Sequence, residues 1–235
     1  MRDHLQVFGV LVVLAAAPIA TSVAHGSGGM SGGSSSSGSQ MPSASRNPDD
    51  VAKTAYNQGV KIIKKAQESD EDAAKASTPE KSAKAKEKGQ KYYQKALGEF
   101  IEAVGAQPAM YQAWNYMGFA NRHLGNYQDA LTAYAKALEL NPNYPDAIEY
   151  RGEAYLGLNK IDDAKAAYMS LFQNSRPLAN ELMTAMHRWA DARRQDSQGL
   201  AAGDIDAFAK WMDERATVAA QTASLGIGAP QAGWK

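Results

Sequence analysis

The side chains that could carry chemistry in this sequence are few and scattered. There is no cysteine and there are four histidines, which removes thiol nucleophiles, thiolate metal sites and disulfides as classes. His123 stands before Leu124-Gly125 at the expected end of a helix, where a cation suits the helix dipole better than it suits a reaction. His187 has no paired carboxylates near it. No H-E-x-x-H, phosphate-cradling glycine loop or nucleophile elbow occurs. Cleavage after Ala24 would make His25 the N-terminus, an amine and imidazole together as in a copper brace, but its Gly/Ser-rich setting offers no rigid frame. We expect no catalytic residue, no metal and no cofactor.

The charges point the same way. Lysine plus arginine number 25 and aspartate plus glutamate 25, so no net field favours nucleic acid or an anionic membrane. No interleaving of basic and aromatic residues suggests base stacking. Lysines gather at 61–65 and 81–95, but acids are mixed among them and the segments read as solvated faces.

The elements that would position any site are clearer. Residues 111–144, YQAWNYMGFANRHLGNYQDALTAYAKALELNPNY, return when the frame is shifted by 34. Gly118 maps to Gly152, Ala130 to Ala164 and Tyr134 to Tyr168. Glycine inside a helix costs about 1 kcal/mol against alanine, which makes sense if a partner helix must approach there. Ala130 and Ala164 suit a close crossing. Tyr134 and Tyr168, four residues on, fill the next layer of the same face, and Pro142 ends the helix. This pattern, with Trp114 four residues before Gly118, resembles the tetratricopeptide repeat. The resemblance implies an all-α, right-handed solenoid of antiparallel helix pairs.

Shifted backwards, the frame half survives. Ala96, Phe100, Ala103 and Pro108 fit the second helix of an earlier repeat, but Lys84 stands where its glycine is due. AYNQGVKII, with Gly59, supplies the missing helix about 25 residues upstream. The expected repeats are therefore 50–110 with an insertion, 111–144 and 145–178. Asn47-Pro48 and Thr78-Pro79 are N-cap plus N1-proline pairs, predicting long helices over 48–69 and 79–106. Their far ends should project beyond the stack with little but alanine contacts to hold them, as a fraying hairpin or a charged docking arm. Segments 177–194 and 203–222 keep helical periodicity, the latter with Ile205, Phe208, Trp211 and Met212 on one face. They fall within a divergent region, 179–222, expected to cap the stack. Residues 223–235 read as a loose tail.

The N-terminus has a secretory layout: Arg2, an apolar run from Leu5 to Ala20, then Ser22-Val23-Ala24. The expected division is a signal peptide over 1–24 and a flexible linker over 25–47. An uncleaved membrane anchor is the alternative, although the run is short for a span of about 20 residues.

In the repeat family that the pattern resembles, first-helix residues line a concave groove. The matching positions here are Lys53, Tyr56, Val60 and Ile63, then Gln112, Asn115, Phe119 and Arg122, then Asp146, Glu149, Glu153 and Leu156, with Tyr116 and Tyr150 flanking them. As carboxylates, Asp146, Glu149 and Glu153 are expected outside the core, as an acidic lip or a solvated face. Family members that capture a C-terminal carboxylate use a Lys/Asn/Arg clamp. Tyr56 and Val60 occupy two of its positions here, so that mode is unsupported, and a ligand with an apolar or aromatic anchor and a basic group fits better. The expected function is an exported, periplasmic or secreted adaptor holding a protein or peptide partner. A self-associating envelope protein is the competing reading.

Overall fold

The computed structural model describes residues 47–224. Among the described residues there are eight helices and no strand. They are α1 (Pro48–Lys75), α2 (Pro79–Ala106), α3 (Tyr111–His123), α4 (Tyr127–Leu140), α5 (Pro145–Gly157), α6 (Ile161–Asn174), α7 (Arg176–Gln195) and α8 (Ala202–Ser224). The expected signal peptide, nearly all of the linker and most of the tail lie outside these residues. No described helix is long and apolar enough to cross a membrane.

Local chemistry sets the helix starts. Asn47 Oδ1 accepts from the Asp49 amide at 3.1 Å, and Pro48 with Asp49 and Asp50 fills the first turn. Thr78 Oγ1 accepts from the Lys81 amide at 3.3 Å ahead of Pro79. The turn after α3 needs a left-handed residue, which Gly125 supplies at φ 81°. Thirty-four residues on, Asn159 takes the same role at φ 58°, a conformation asparagine tolerates. Its side-chain oxygen accepts from Arg193 Nε of α7 at 2.9 Å, which ties the turn to the next helix.

The helices stack as sequential antiparallel pairs, α1 with α2, α3 with α4, and α5 with α6. Phe100, Tyr134 and Tyr168 are buried, one per pair. A Cβ on Gly118 would sit 2.5 Å from Tyr134 Cε1, and one on Gly59 would sit 2.6 Å from Phe100 Cε1. The same glycine-on-ring contact thus builds the first two pairs, although their sequences are registered differently. The third pair departs, because Gly152 faces Leu182 of α7 instead of Tyr168. Tyr168 turns to Trp211 of α8, with ring centroids 5.5 Å apart, while Phe208 packs on Trp189 at 5.6 Å. Helices α7 and α8 thereby cover the apolar end left by α6.

The α1–α2 hairpin corrects one expectation. Helix α1 runs six residues past 69, to Lys75, because its seam stays narrow. Ala66, Ser69 and Ala73 are buried against α2, and Gly89 lies where a Cβ would come 2.9 Å from Asp70 Oδ1. Ser82 Oγ donates to the Ala73 carbonyl at 2.9 Å. More than alanine contacts holds the far end, since Tyr93 donates a 2.6 Å hydrogen bond to Asp70 Oδ2.

Candidate binding groove

Helices α1, α3 and α5 present their groove positions side by side, α3 touching both α1 and α5. The structure divides the expected residues into two kinds. Lys53 is exposed, and Tyr56, Val60, Gln112 and Asp146 are half-buried. Asn115, Phe119, Arg122, Glu149 and Glu153 are buried, and so are Ile63 and Leu156. Glu149 and Glu153 therefore form neither an acidic lip nor a solvated face, being only 0% and 4% exposed. That expectation was wrong for a physical reason. Arg122 Nη1 donates to Glu153 Oε2 inside the stack, and a buried charge survives when it is paired. The same guanidinium lies over the Phe119 and Tyr150 rings, 5.2 and 5.5 Å from their centroids. Lysine substitutions at Glu149 and Glu153 would consequently disrupt the core, not merely a binding face.

Glu149 has no such cation of its own. Burial raises its carboxyl well above the usual 4.5, and the adjacent Glu153 carboxylate raises it further against the opposing pull of Arg122. The neutral form of Glu149 is thereby favoured, which a dry interior tolerates better than an unpaired charge. Tyr134 reaches the same place from α4, and Arg122 partly offsets the burial that pushes its phenol up.

A second cluster joins the hairpin to this floor. The His123 ring stacks on Tyr93 at 4.3 Å between centroids and meets Phe119 at 4.4 Å. Its Nε2 is 3.3 Å from Arg122 Nη2, and its Nδ1 lies 3.7 Å from Asp70 Oδ2. Burial, and then the charge of Arg122, holds the imidazole well below its usual 6.5. His123 is thus a half-buried neutral ring, not the helix-end cation that its position suggested. Burial raises the Asp70 carboxyl, against the lowering effect of its bond from Tyr93 and of Lys86. Tyr93 could have been found by counting seven back from Phe100 along one helix face. Asp70 gave no such signal, since it lies in the inserted stretch.

Above the buried floor is a rim of half-buried tyrosines: Tyr56 of α1, Tyr111 and Tyr116 of α3, Tyr144 before α5, and Tyr150 of α5. Tyr56 meets Tyr116 edge-on at 5.8 Å, and Tyr111 meets Tyr144 edge-on at 5.0 Å. Burial, with Tyr116 and Tyr111 nearby, pushes the Tyr56 phenol up to about 12. Tyr144 is raised by burial, then by Asp146, and to a smaller degree by Tyr116, Tyr56 and Tyr111. These mutual effects place the phenols and Asp146 in one neighbourhood. Tyr111 and Tyr144 were not among the expected groove residues, because they precede the helical face used to choose them. Among the described residues no cluster of His, Cys, Asp and Glu could hold a metal ion.

Two family models match the chain, both described as tetratricopeptide repeat, over residues 111–144 and 133–166. No curated protein matches the sequence significantly. Similar solved structures include the first TPR domain of Spaghetti (RPAP3) bound to the HSP90 peptide SRMEEVD, at 21% identity, covering 60% of this chain and 95% of that one, with a TM-score of 0.45. A MamA structure is 17% identical and covers 74% of this chain and 95% of its own, with a TM-score of 0.42. The TPR2B domain of yeast Sti1, in its pHsp70 complex, is 16% identical, with 64% and 98% covered and a TM-score of 0.32. These are likenesses of fold alone. Residues 111–166 thus carry tetratricopeptide repeats, set in an all-α solenoid.

Proposed function

We propose that this protein is an interaction module that holds a protein or peptide partner on the inner face of α1, α3 and α5. The observation that carries this reading is the gathering of Tyr56, Tyr111, Tyr116, Tyr144 and Tyr150, all half-buried, over a floor fixed by the Arg122–Glu153 pair. Tyrosine offers a large amphipathic surface with few rotatable bonds, so it binds at little cost in side-chain entropy. Lys53, Gln112 and Asp146 supply polar contacts along the same rim, whereas Asn115, Phe119, Arg122, Glu149 and Glu153 form the support beneath it. The apolar run before Ala24 supports export to a periplasm or to the cell exterior.

A random peptide library displayed on phage and panned against the full chain tests the reading. Peptides that bind the unaltered chain and lose binding to Tyr144→Ala and Gln112→Ala variants of unchanged melting temperature support a groove. Binding indifferent to both variants contradicts it. Self-association has its own observation: Ile101 is 51% exposed beside a cavity of about 320 Å³ lined by Leu97, Trp114 and Met117 on α2 and α3. Light scattering separates the two readings, since a stable oligomer that blocks peptide capture favours the second.

A further inference from the structure

Helix α2 carries a row of charge that the packing of the fold does not use. Lys81, Lys84, Lys88, Lys91 and Lys95 follow one another at intervals of three and four, which puts them on one face over about 21 Å. All five are exposed. Glu80 bonds to its own amide and to Thr78 at the helix start, and Glu99 takes the next place after Lys95 and closes the row. Glu87 lies beside the row and pairs with Lys91 at 2.6 Å. Among the described residues Lys91 is the one member of the row in an ion pair. Lys81 donates to Ser77 Oγ at 3.4 Å, and Lys88 lies 5.9 Å from the centroid of the Tyr92 ring. Helix stability does not account for this placement. Lys81 stands in the first turn, where the helix dipole disfavours a cation, whereas the last turn, where one would help, has no basic residue. On α1, Lys61, Lys64, Lys65 and Lys75 are balanced by Glu68, Asp70, Glu71 and Asp72, so the excess belongs to α2.

We propose that the lysine row of α2 docks the hairpin on the surface of an anionic lipid bilayer. The surface lies on α2, outside the tyrosine rim, and does not depend on what that rim binds. Complementary charge is the first argument. The chain is neutral as a whole, but screening limits each charge to about 10 Å in 0.1 M salt. A bilayer therefore responds to the local excess along the row, not to the net charge. Residue type is the second argument. The hairpin helices contain eleven lysines and no arginine. Lysine is a hydrated point charge on a flexible stem, suited to a fluid array of headgroups, whereas fixed phosphates and base edges are the targets of the arginine fork. The third argument is the lack of an apolar seam. Ile101, the one large apolar side chain exposed on α2 among the described residues, lies six residues beyond the row. An amphipathic helix of a protein partner needs such a seam, and a lipid headgroup does not.

Co-sedimentation of the full chain with vesicles tests this, using phosphatidylcholine alone and an equimolar mixture with phosphatidylglycerol. The chain should sediment with the anionic vesicles at low ionic strength and be released in roughly 0.5 M salt. A variant carrying Lys84→Gln, Lys88→Gln and Lys95→Gln should keep its melting temperature, since all three side chains are exposed. Its partitioning onto the anionic vesicles should fall about a hundredfold, at roughly fivefold per lysine. The same three positions changed to arginine should restore binding. Any adhesion by the apolar run of residues 5–20 is common to all these proteins and appears on phosphatidylcholine as well. Equal binding to both kinds of vesicle, no binding to the anionic ones, or a glutamine variant that binds like the parent would overturn the proposal. Duplex DNA or polyglutamate that strips the parent from the vesicles at equal charge concentration would overturn the lipid assignment in favour of a nucleic acid or an acidic protein.

Discussion

Replacing Glu149 by glutamine should make the protein more resistant to alkaline pH without much effect under acid conditions. Glu149 is fully buried, and burial with Glu153 beside it raises the carboxyl well above 4.5. A raised folded-state value means that the folded protein keeps a proton which the unfolded chain gives up. The stabilising contribution is therefore complete below about pH 4.5 and is lost as pH climbs through the folded-state value. Within that window the loss approaches about 1.4 kcal/mol per pH unit. Glutamine has the same shape and no proton to lose, so the variant lacks this slope. His123 acts in the opposite sense, because its lowered value withdraws stability as pH falls below about 6.5. It is present in both proteins and cancels in the difference. Guanidinium unfolding of both full chains, from about pH 5 to about pH 8, reads the effect. The variant should be within about 1 kcal/mol of the parent at the acid end and gain steadily above it. A constant difference across the range would refute the view that burial raises the Glu149 carboxyl.

Other perturbations separate the parts of the fold. Arg122→Ala leaves Glu153 buried without its cation and should cost about 3–5 kcal/mol, whereas replacing both Arg122 and Glu153 by methionine should restore most of it; urea midpoints decide this. Gly118→Leu places a side chain where even a Cβ would lie 2.5 Å from the Tyr134 ring, and should cost about 1–3 kcal/mol in a thermal melt. Tyr93→Phe removes the bond to Asp70 and should cost about 1–2 kcal/mol. Amide exchange should then rise over the outer half of the α1–α2 hairpin while α5 to α7 keep their protection.

The parts of this architecture that were legible are those fixed by size and local geometry. Gly118, Ala130, Tyr134 and Pro142 show their roles by type and spacing, and the glycine-on-ring contact of Gly118 with Tyr134 recurs between Gly59 and Phe100 despite the shifted register. Asn47 and Thr78 announced their caps because capping needs only the next three residues. The groove floor was not legible. Charge argued that Glu149 and Glu153 should face solvent, and the residue that allows burial, Arg122, lies 31 positions from Glu153 on another helix. The environment of His123 was hidden for the same reason, since Asp70 and Tyr93 reach it from the hairpin. Long-range pairing of polar groups leaves no periodic trace in a sequence, whereas helix packing does.

The most direct test of partner binding on the inner face is tyrosine footprinting of the full chain with and without a display-selected peptide. Tyr56, Tyr111, Tyr116, Tyr144 and Tyr150 should lose reactivity together when the peptide binds, while Tyr92 on α2, also half-buried, keeps its own. Protection of Tyr92 with the five inner tyrosines unchanged would contradict the assignment and move the binding surface to the outside of the stack.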